Sequence, residues 1–280
     1  MIEQHSLSER IIRLALEEDI GSGDLTTTSV IKSEAGGKAS LITRQELVLA
    51  GLPVFKKVFR EISPEIIFND SFGEGDLVAA DKEVTLLTGS LSAILRAERT
   101  ALNFLQRMSG IATLTRQFVK KVQPLEVSIL DTRKTAPGHR LFDKYAVRIG
   151  GGVNHRFGLF DGVLIKDNHI AAAGSITGAI ESAKQGVPHT IRIEVEVEDL
   201  AGAKEALAAG ADIILLDNML PGQMTEVVQF VNGKIKVEAS GGITLDRIKE
   251  VAETGVDFIS VGALTHSASA ADFSLEVIPE

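Results

Sequence analysis

Short apolar runs recur from residue 127 to residue 261, and helical patterns lie between several of them. Seven such runs are expected to be strands: 127–130, 147–149, 163–165, 191–197, 213–216, 235–239 and 258–261. The clearest intervening helices are 201–209, 221–231 and 245–253. Strands separated by helices cannot pair as hairpins, so the pattern predicts parallel βα units whose carboxyl ends meet on one side. A TIM-like barrel of seven strands is the expected architecture. An open doubly wound sheet is the alternative, but no GxGxxG fingerprint comes after the first strand, which disfavours a dinucleotide fold.

Six of these runs give way to polar residues. They end in Asp131-Thr132-Arg133-Lys134, Lys166-Asp167-Asn168-His169, Glu194 and Glu196, Asp217-Asn218, Glu238-Ala239-Ser240-Gly241-Gly242 and Gly262-Ala263. Singly, Asp or Asn in such a place caps the next helix. Together, on parallel strands, they converge on one rim. Alternation in 191–197 puts Arg192, Glu194 and Glu196 on one face of a strand that helices should cover, so that face must meet a hydrated or charge-paired interior. A half-exposed antiparallel strand would show the same pattern. The glycines at 241, 242 and 262 either make tight turns or expose backbone N–H groups near a helix start, which would cradle a phosphate.

Charge sharpens the picture. Residues 127–170 hold seven Lys or Arg against four Asp, while the 280-residue chain carries -9 overall. Three of the six histidines, His139, His155 and His169, lie in the same run. Because this run is threaded with glycines and apolar residues, it reads as a pocket for a small anion and not as a solvated basic tail. The acidic balance argues against nucleic acid as a general partner. The chain has no cysteine, hence no disulfides and no thiol metal site, which fits a reducing compartment. The first residues lack a signal-peptide pattern and no apolar run approaches the ~20 residues of a membrane span, so the expected location is the cytoplasm.

The N-terminal part is organised differently. A short amphipathic helix is expected over 8–18 with Ser8 as its N-cap, then strands over 38–50 and 76–88 around a helix at 54–59. Helical periodicity over 91–122, interrupted near Ser109-Gly110, predicts two consecutive helices. The expected division is an α+β domain over 1–110, a barrel over 111–267 and a tail, 268–280, that returns to the first domain.

Several long, ordered blocks resemble the quinolinate phosphoribosyltransferase family: ERTALNFLQRMSGIAT (98–113), DTRKTAPGHR (131–140), GGGVNHRFGLFDGVLIKDNHI (150–170), IEVEVE (193–198), LLDNM (215–219) and EASGGI (238–243). The resemblance runs from EDIGSGDLT (18–26) to the end of the barrel region, with no departure at the motif positions. It implies a sandwich-like N-terminal domain, an incomplete seven-stranded barrel, a homodimer or higher homo-oligomer, and synthesis of nicotinate mononucleotide from quinolinate and phosphoribosyl pyrophosphate. It also implies that Arg99 serves the partner subunit's site. Without the resemblance, the stripe Arg96, Arg99, Asn103, Gln106 and Arg107 is an ordinary solvated helix face.

Two adjacent carboxylates on a flat ring favour several fixed cations, and Arg133, Arg156, Lys166 and Arg99 are the candidates, with His155 beside them. Lys134 matches the family position that reaches phosphoribosyl pyrophosphate. Glu196 and Asp217 suit ribose hydroxyls and a Mg2+ ion, directly or through water. Asp167, His169, Ser240, Gly241, Gly242 and Gly262 complete the expected phosphoribosyl subsite, and Lys134, Lys166, Glu196 and Asp217 the catalytic set. Two alternatives stand beside this reading: a phosphoribosyltransferase of the same fold acting on another substrate, such as a molybdenum-transport-associated relative, and a non-enzymatic phosphosugar-binding protein.

Overall fold

A computed structural model describes residues 2–32 and 34–278. The chain divides into two compact units, Met1–Arg116 with Thr135–Gly151 and Ser267–Glu280, and Gln117–Lys134 with Gly152–His266. Residues 111–116 and 135–151 thus group with the first unit, whereas the sequence pattern places the boundary after residue 110.

In the first unit a four-stranded antiparallel sheet has the order Phe273–Ile278, Gly36–Thr43, Glu83–Ser90, Ile67–Asp70. Leu41, Val84 and Leu87 are fully buried. The helix Leu52–Ile62 contributes Phe55 and Phe59, whose ring centroids lie 4.9 Å apart at a tilt of 56°, and burial of each such ring is worth roughly 1.5–3 kcal/mol. This helix starts with Pro53 in its first turn, and the Glu74 carboxylate accepts the N–H groups of Gly51 (3.1 Å) and Leu52 (2.6 Å). A carboxyl group at that end satisfies two orphan donors of the helix start. The first helix is Ser6–Ile20, capped by His5 and not by Ser8, which is buried.

Two expectations fail here. Residues 91–122 form a single 32-residue helix, Leu91–Val122, with no break at Ser109-Gly110. Ser109 Oγ instead bonds both the N–H and the C=O of Ala50, and a side chain at Gly110 would fall 2.0 Å from the Ser269 carbonyl. The small residues are there so that other segments approach the helix closely. The expected strand 147–149 is the last turn of the helix Arg140–Ile149, which buries Phe142, Asp143, Ala146 and Val147 on a helical period.

The second unit is built on a six-stranded parallel sheet, ordered Ser128–Leu130, Phe258–Ser260, Lys236–Ser240, Ile213–Asp217, Ile193–Val197, Val163–Ile165. Six strands replace the expected seven, and an isolated bridge pairs Val153 with Leu130 on the outer side of the first. Val195, Ile214, Leu216, Val237, Ala239 and Ile259 are buried on one face. The register aligns Leu164 with Glu194, Glu196 with Leu215, Leu215 with Glu238, and Asp217 with Ser240 on the other. The sheet curls: His155, two residues past the bridge at one edge, reaches Glu194 on the fifth strand and Glu238 on the third.

Candidate active site

The concave face of this sheet encloses a cavity of about 590 Å³, within the size range of small-molecule sites. Ten of the sequence-derived candidates line it: Arg133, Lys134, His155, Arg156, Lys166, Glu196, Asp217, Ser240, Gly241 and Gly242. Residues 131–134 arrive as a loop directly after the first edge strand, and Thr265 Oγ1 fixes it by donating to the Lys134 carbonyl at 2.9 Å. Asp131, fully buried, accepts from Asn154 Nδ2 (2.5 Å) and from the His155 N–H (2.9 Å), which ties the loop to residues 154–156. Arg156 donates from Nη1 to the Gly162 carbonyl at 2.8 Å, while its Nε is buried without a hydrogen-bond partner. Burial first, and then the nearby Arg133, pull the Arg156 guanidinium below its ordinary pKa. Glu194 and Asp161 oppose that shift.

On the other edge, Lys166 Nζ donates to Glu196 Oε2 at 2.6 Å. Glu196 is half-buried on the strand whose alternation suggested a polar interior, and that face does point into the cavity. Asp217 accepts from Asn218 Nδ2 at 2.8 Å. Asn218 adopts a left-handed backbone (φ 54°) and donates its N–H to the Ser240 carbonyl at 2.9 Å, which locks the two strand ends together. Gly241 (φ 93°) and Gly242 (φ 57°) come next, in conformations that L side chains rarely adopt.

Four candidates lie elsewhere. Asp167 and His169 are on the helix Asp167–Ala173, where His169 Nδ1 accepts the Lys166 N–H at 2.9 Å and so closes the helix start. Gly262 does not line the cavity, although a side chain there would meet Lys134 Cδ at 3.3 Å. Arg99 is exposed in the first unit. Of the stripe it belongs to, Arg107 is consumed by a bidentate bond to the buried Asp143, both contacts at 2.8 Å.

Part of the floor is absent from the sequence-derived candidates. Glu238 and Ser260 line the cavity, and Glu194 lies beneath. His155 Nε2 is 3.1 Å from Glu194 and 3.7 Å from Glu238, and His155 Nδ1 accepts the Arg156 N–H at 2.7 Å. Burial, then Glu194, hold the Glu238 carboxyl above the usual carboxylate range. A signal exists in 191–197, whose alternation requires a partner for Glu194, but nothing local names Glu238 as that partner.

A curled parallel sheet with cations, carboxylates and a glycine turn at its carboxyl ends defines an α/β enzyme that handles a multiply charged anion. The model of the quinolinate phosphoribosyl transferase C-terminal domain matches residues 111–276, and that of the N-terminal domain matches 24–109. A probable nicotinate-nucleotide pyrophosphorylase [carboxylating] of Bacillus subtilis is 42% identical over 98% of this chain and 94% of its own length. Quinolinate phosphoribosyltransferase [decarboxylating] 1b of Nicotiana tabacum is 40% identical over 96% of this chain and 82% of its own. The solved nicotinate-nucleotide pyrophosphorylase of Francisella tularensis superposes with a TM-score of 0.94 at 41% identity, covering 99% of both chains. The chain belongs to the quinolinate phosphoribosyltransferase family.

Proposed function

We propose that the cavity on the curled sheet binds quinolinate and phosphoribosyl pyrophosphate and joins them. The reaction is decarboxylating phosphoribosyl transfer, which gives nicotinate mononucleotide, pyrophosphate and carbon dioxide and feeds NAD synthesis. The observation that carries this reading is the gathering of Arg133, Lys134, Arg156 and Lys166 with Glu196 and Asp217 around one cavity. A phosphosugar-binding protein would need the glycine turn but no such set of cations and acids.

In this reading Arg133, Arg156, Lys166 and the partner subunit's Arg99 hold the two quinolinate carboxylates, with His155 as part of the wall. Lys134, Ser240, Gly241 and Gly242 hold the phosphates, and Gly262, Asp167 and His169 shape the loops around them. Glu196 and Asp217 face the ribose and stabilise positive charge as pyrophosphate leaves C1 and the pyridine nitrogen attacks from the opposite side. Their oxygen donors fit a hard cation, and Glu196 and Asp217 are the residues that would hold Mg2+. When bound, the ion neutralises pyrophosphate oxygens. The bridge at Val153 supports a sheet that nearly closes into a barrel, the subunits pair as a homodimer, and the cysteine-free composition fits the cytoplasm.

Incubating the protein with both substrates and Mg2+ should yield nicotinate mononucleotide, and its absence would refute the reading. Subunit pairing has its own test. Arg99→Ala and Arg133→Ala should each be inactive alone. Mixed and reassociated, they should recover about a quarter of the sites, because heterodimers then contain one complete set. No recovery means that Arg99 does not cross.

A further inference from the structure

Resting on the reaction just described, we infer that Glu238 is a further catalytic residue: it donates the proton that replaces the departing carboxylate on the substrate ring. Loss of carbon dioxide breaks the bond between ring C2 and its carboxyl carbon and leaves the electron pair on C2, beside the cationic nitrogen. That carbon must be protonated before the product is complete. In the proposed complex the cations assigned to the quinolinate carboxylates are engaged with those anions.

Glu238 sits on the middle of the sheet, borders the cavity, and is only 2% exposed. The groups that face it are few. Glu194, itself 5% exposed, approaches from the fifth strand, His155 from the loop after residue 153, and Ser260 lines the same cavity from the neighbouring strand, while Leu215 flanks it in register on the other side. The ligand atoms of His155, Glu194 and Glu238 all lie within 4.8 Å of one another, and Oε1 of each glutamate has no hydrogen-bond partner. Two buried carboxylates this close favour one proton between them in the resting site.

Either a cation or a proton must neutralise the pair, and the histidine decides which. His155 Nδ1 accepts the Arg156 N–H at 2.7 Å, so the neutral ring carries its proton on Nε2. Nε2 then donates to Glu194 and offers no lone pair to a metal ion. Because that donor is nearer Glu194 than Glu238, the proton of the pair resides on Glu238. Burial and Glu194 favour the same neutral acid.

The step balances. The Glu238 carboxyl gives its proton to C2, the electron pair on C2 forms the new C–H bond, and Glu238 is left as carboxylate. Water restores the proton after the product leaves. Dissociation of the acid before turnover should therefore lower kcat on the alkaline side.

Glu238→Gln keeps the shape and removes the proton. It should lower kcat about 100-fold or more, change the KM of either substrate little, and abolish the alkaline limb of the kcat profile. Glu238→Asp should recover part of the rate. A folded Glu238→Gln enzyme with unchanged kcat and the same alkaline limb overturns the proposal. Should that variant not fold, wild-type turnover in heavy water takes its place: a slower kcat supports the assignment, and no solvent isotope effect together with no alkaline limb rejects it. The two readings fail differently. A wild-type protein that makes no nicotinate mononucleotide sinks the reaction, whereas an active wild type matched by Glu238→Gln sinks only the proton donor.

Discussion

Gly241→Ala and Gly242→Ala place the same methyl group on adjacent residues and should have different effects. At Gly241 the new carbon would sit 2.1 Å from Asn218 Oδ1, 2.5 Å from its Cγ and 2.9 Å from its backbone nitrogen. Rotation of the Asn218 side chain relieves the first two contacts but not the third. That nitrogen is held by its bond to the Ser240 carbonyl, so the turn itself must move. Positive φ costs ~1–2 kcal/mol for a residue with a Cβ, and forced overpacking ~1–3 kcal/mol, which together give about 2–5 kcal/mol. At Gly242 the nearest atom is Arg247 Nη1 at 3.7 Å, so only the backbone cost of ~1–2 kcal/mol applies. Each kcal/mol lowers Tm by ~2–4 °C in a chain of this size class. Thermal unfolding should therefore place Gly241→Ala clearly below Gly242→Ala, which in turn lies slightly below wild type. Because Asn218 is displaced with the turn, Gly241→Ala should also raise the KM for phosphoribosyl pyrophosphate about tenfold or more. Equal Tm shifts for the two variants would refute the contact argument, and an unchanged KM in Gly241→Ala would refute the phosphate cradle.

Two further outcomes concern the first unit. Arg107→Leu strands the buried Asp143 carboxylate, which should cost about 3–5 kcal/mol in denaturant unfolding, and Arg107→Leu combined with Asp143→Leu should cost less than Arg107→Leu alone. Glu74 is held above its ordinary pKa by burial, so the folded protein binds its proton more tightly than the unfolded chain does. Its contribution is then largest below the unfolded value of 4.5 and is lost as pH rises through the folded pKa. The stability of wild type relative to Glu74→Gln should fall over that window, and a difference that is flat with pH refutes the assignment.

The range of each interaction decides how much of the fold and site is legible in the sequence. Alternation in 191–197 reveals an inward polar face because a strand's two sides differ locally. Val147 and Ile149 resemble a strand because three residues cannot distinguish a period of two from one of 3.6. The helix that contains them is recognised only when Phe142, Asp143 and Ala146 are counted with them. Ser109-Gly110 resembles a break because Ala50 and Ser269, the residues it accommodates, are remote in sequence. Glu238 is legible only as a polar residue near a strand end, because its meaning lies in Glu194 and His155, which are remote from it in sequence.

The site's cations are legible as one continuous stretch because of the strand order. Ser128–Leu130 and Val163–Ile165 are the two edges of the sheet, yet they are the first two of its strands along the chain. Arg133, Lys134, Arg156 and Lys166 all belong to these edges or to the segment between them, so they are neighbours in sequence as well as in space. Glu194, Glu196, Asp217 and Glu238 come from three of the four inner strands, Ile193–Val197, Ile213–Asp217 and Lys236–Ser240, which are dispersed along the chain. Curling the sheet therefore sorts charge by position, with cations along the seam and acids across the floor. In the proposed reaction a substrate dianion is drawn to the seam while the positive charge that develops on ribose and ring lies over the floor. One polarised cavity would thus serve both halves of that reaction, with Glu238 alone among the acids of the floor changing its charge during turnover.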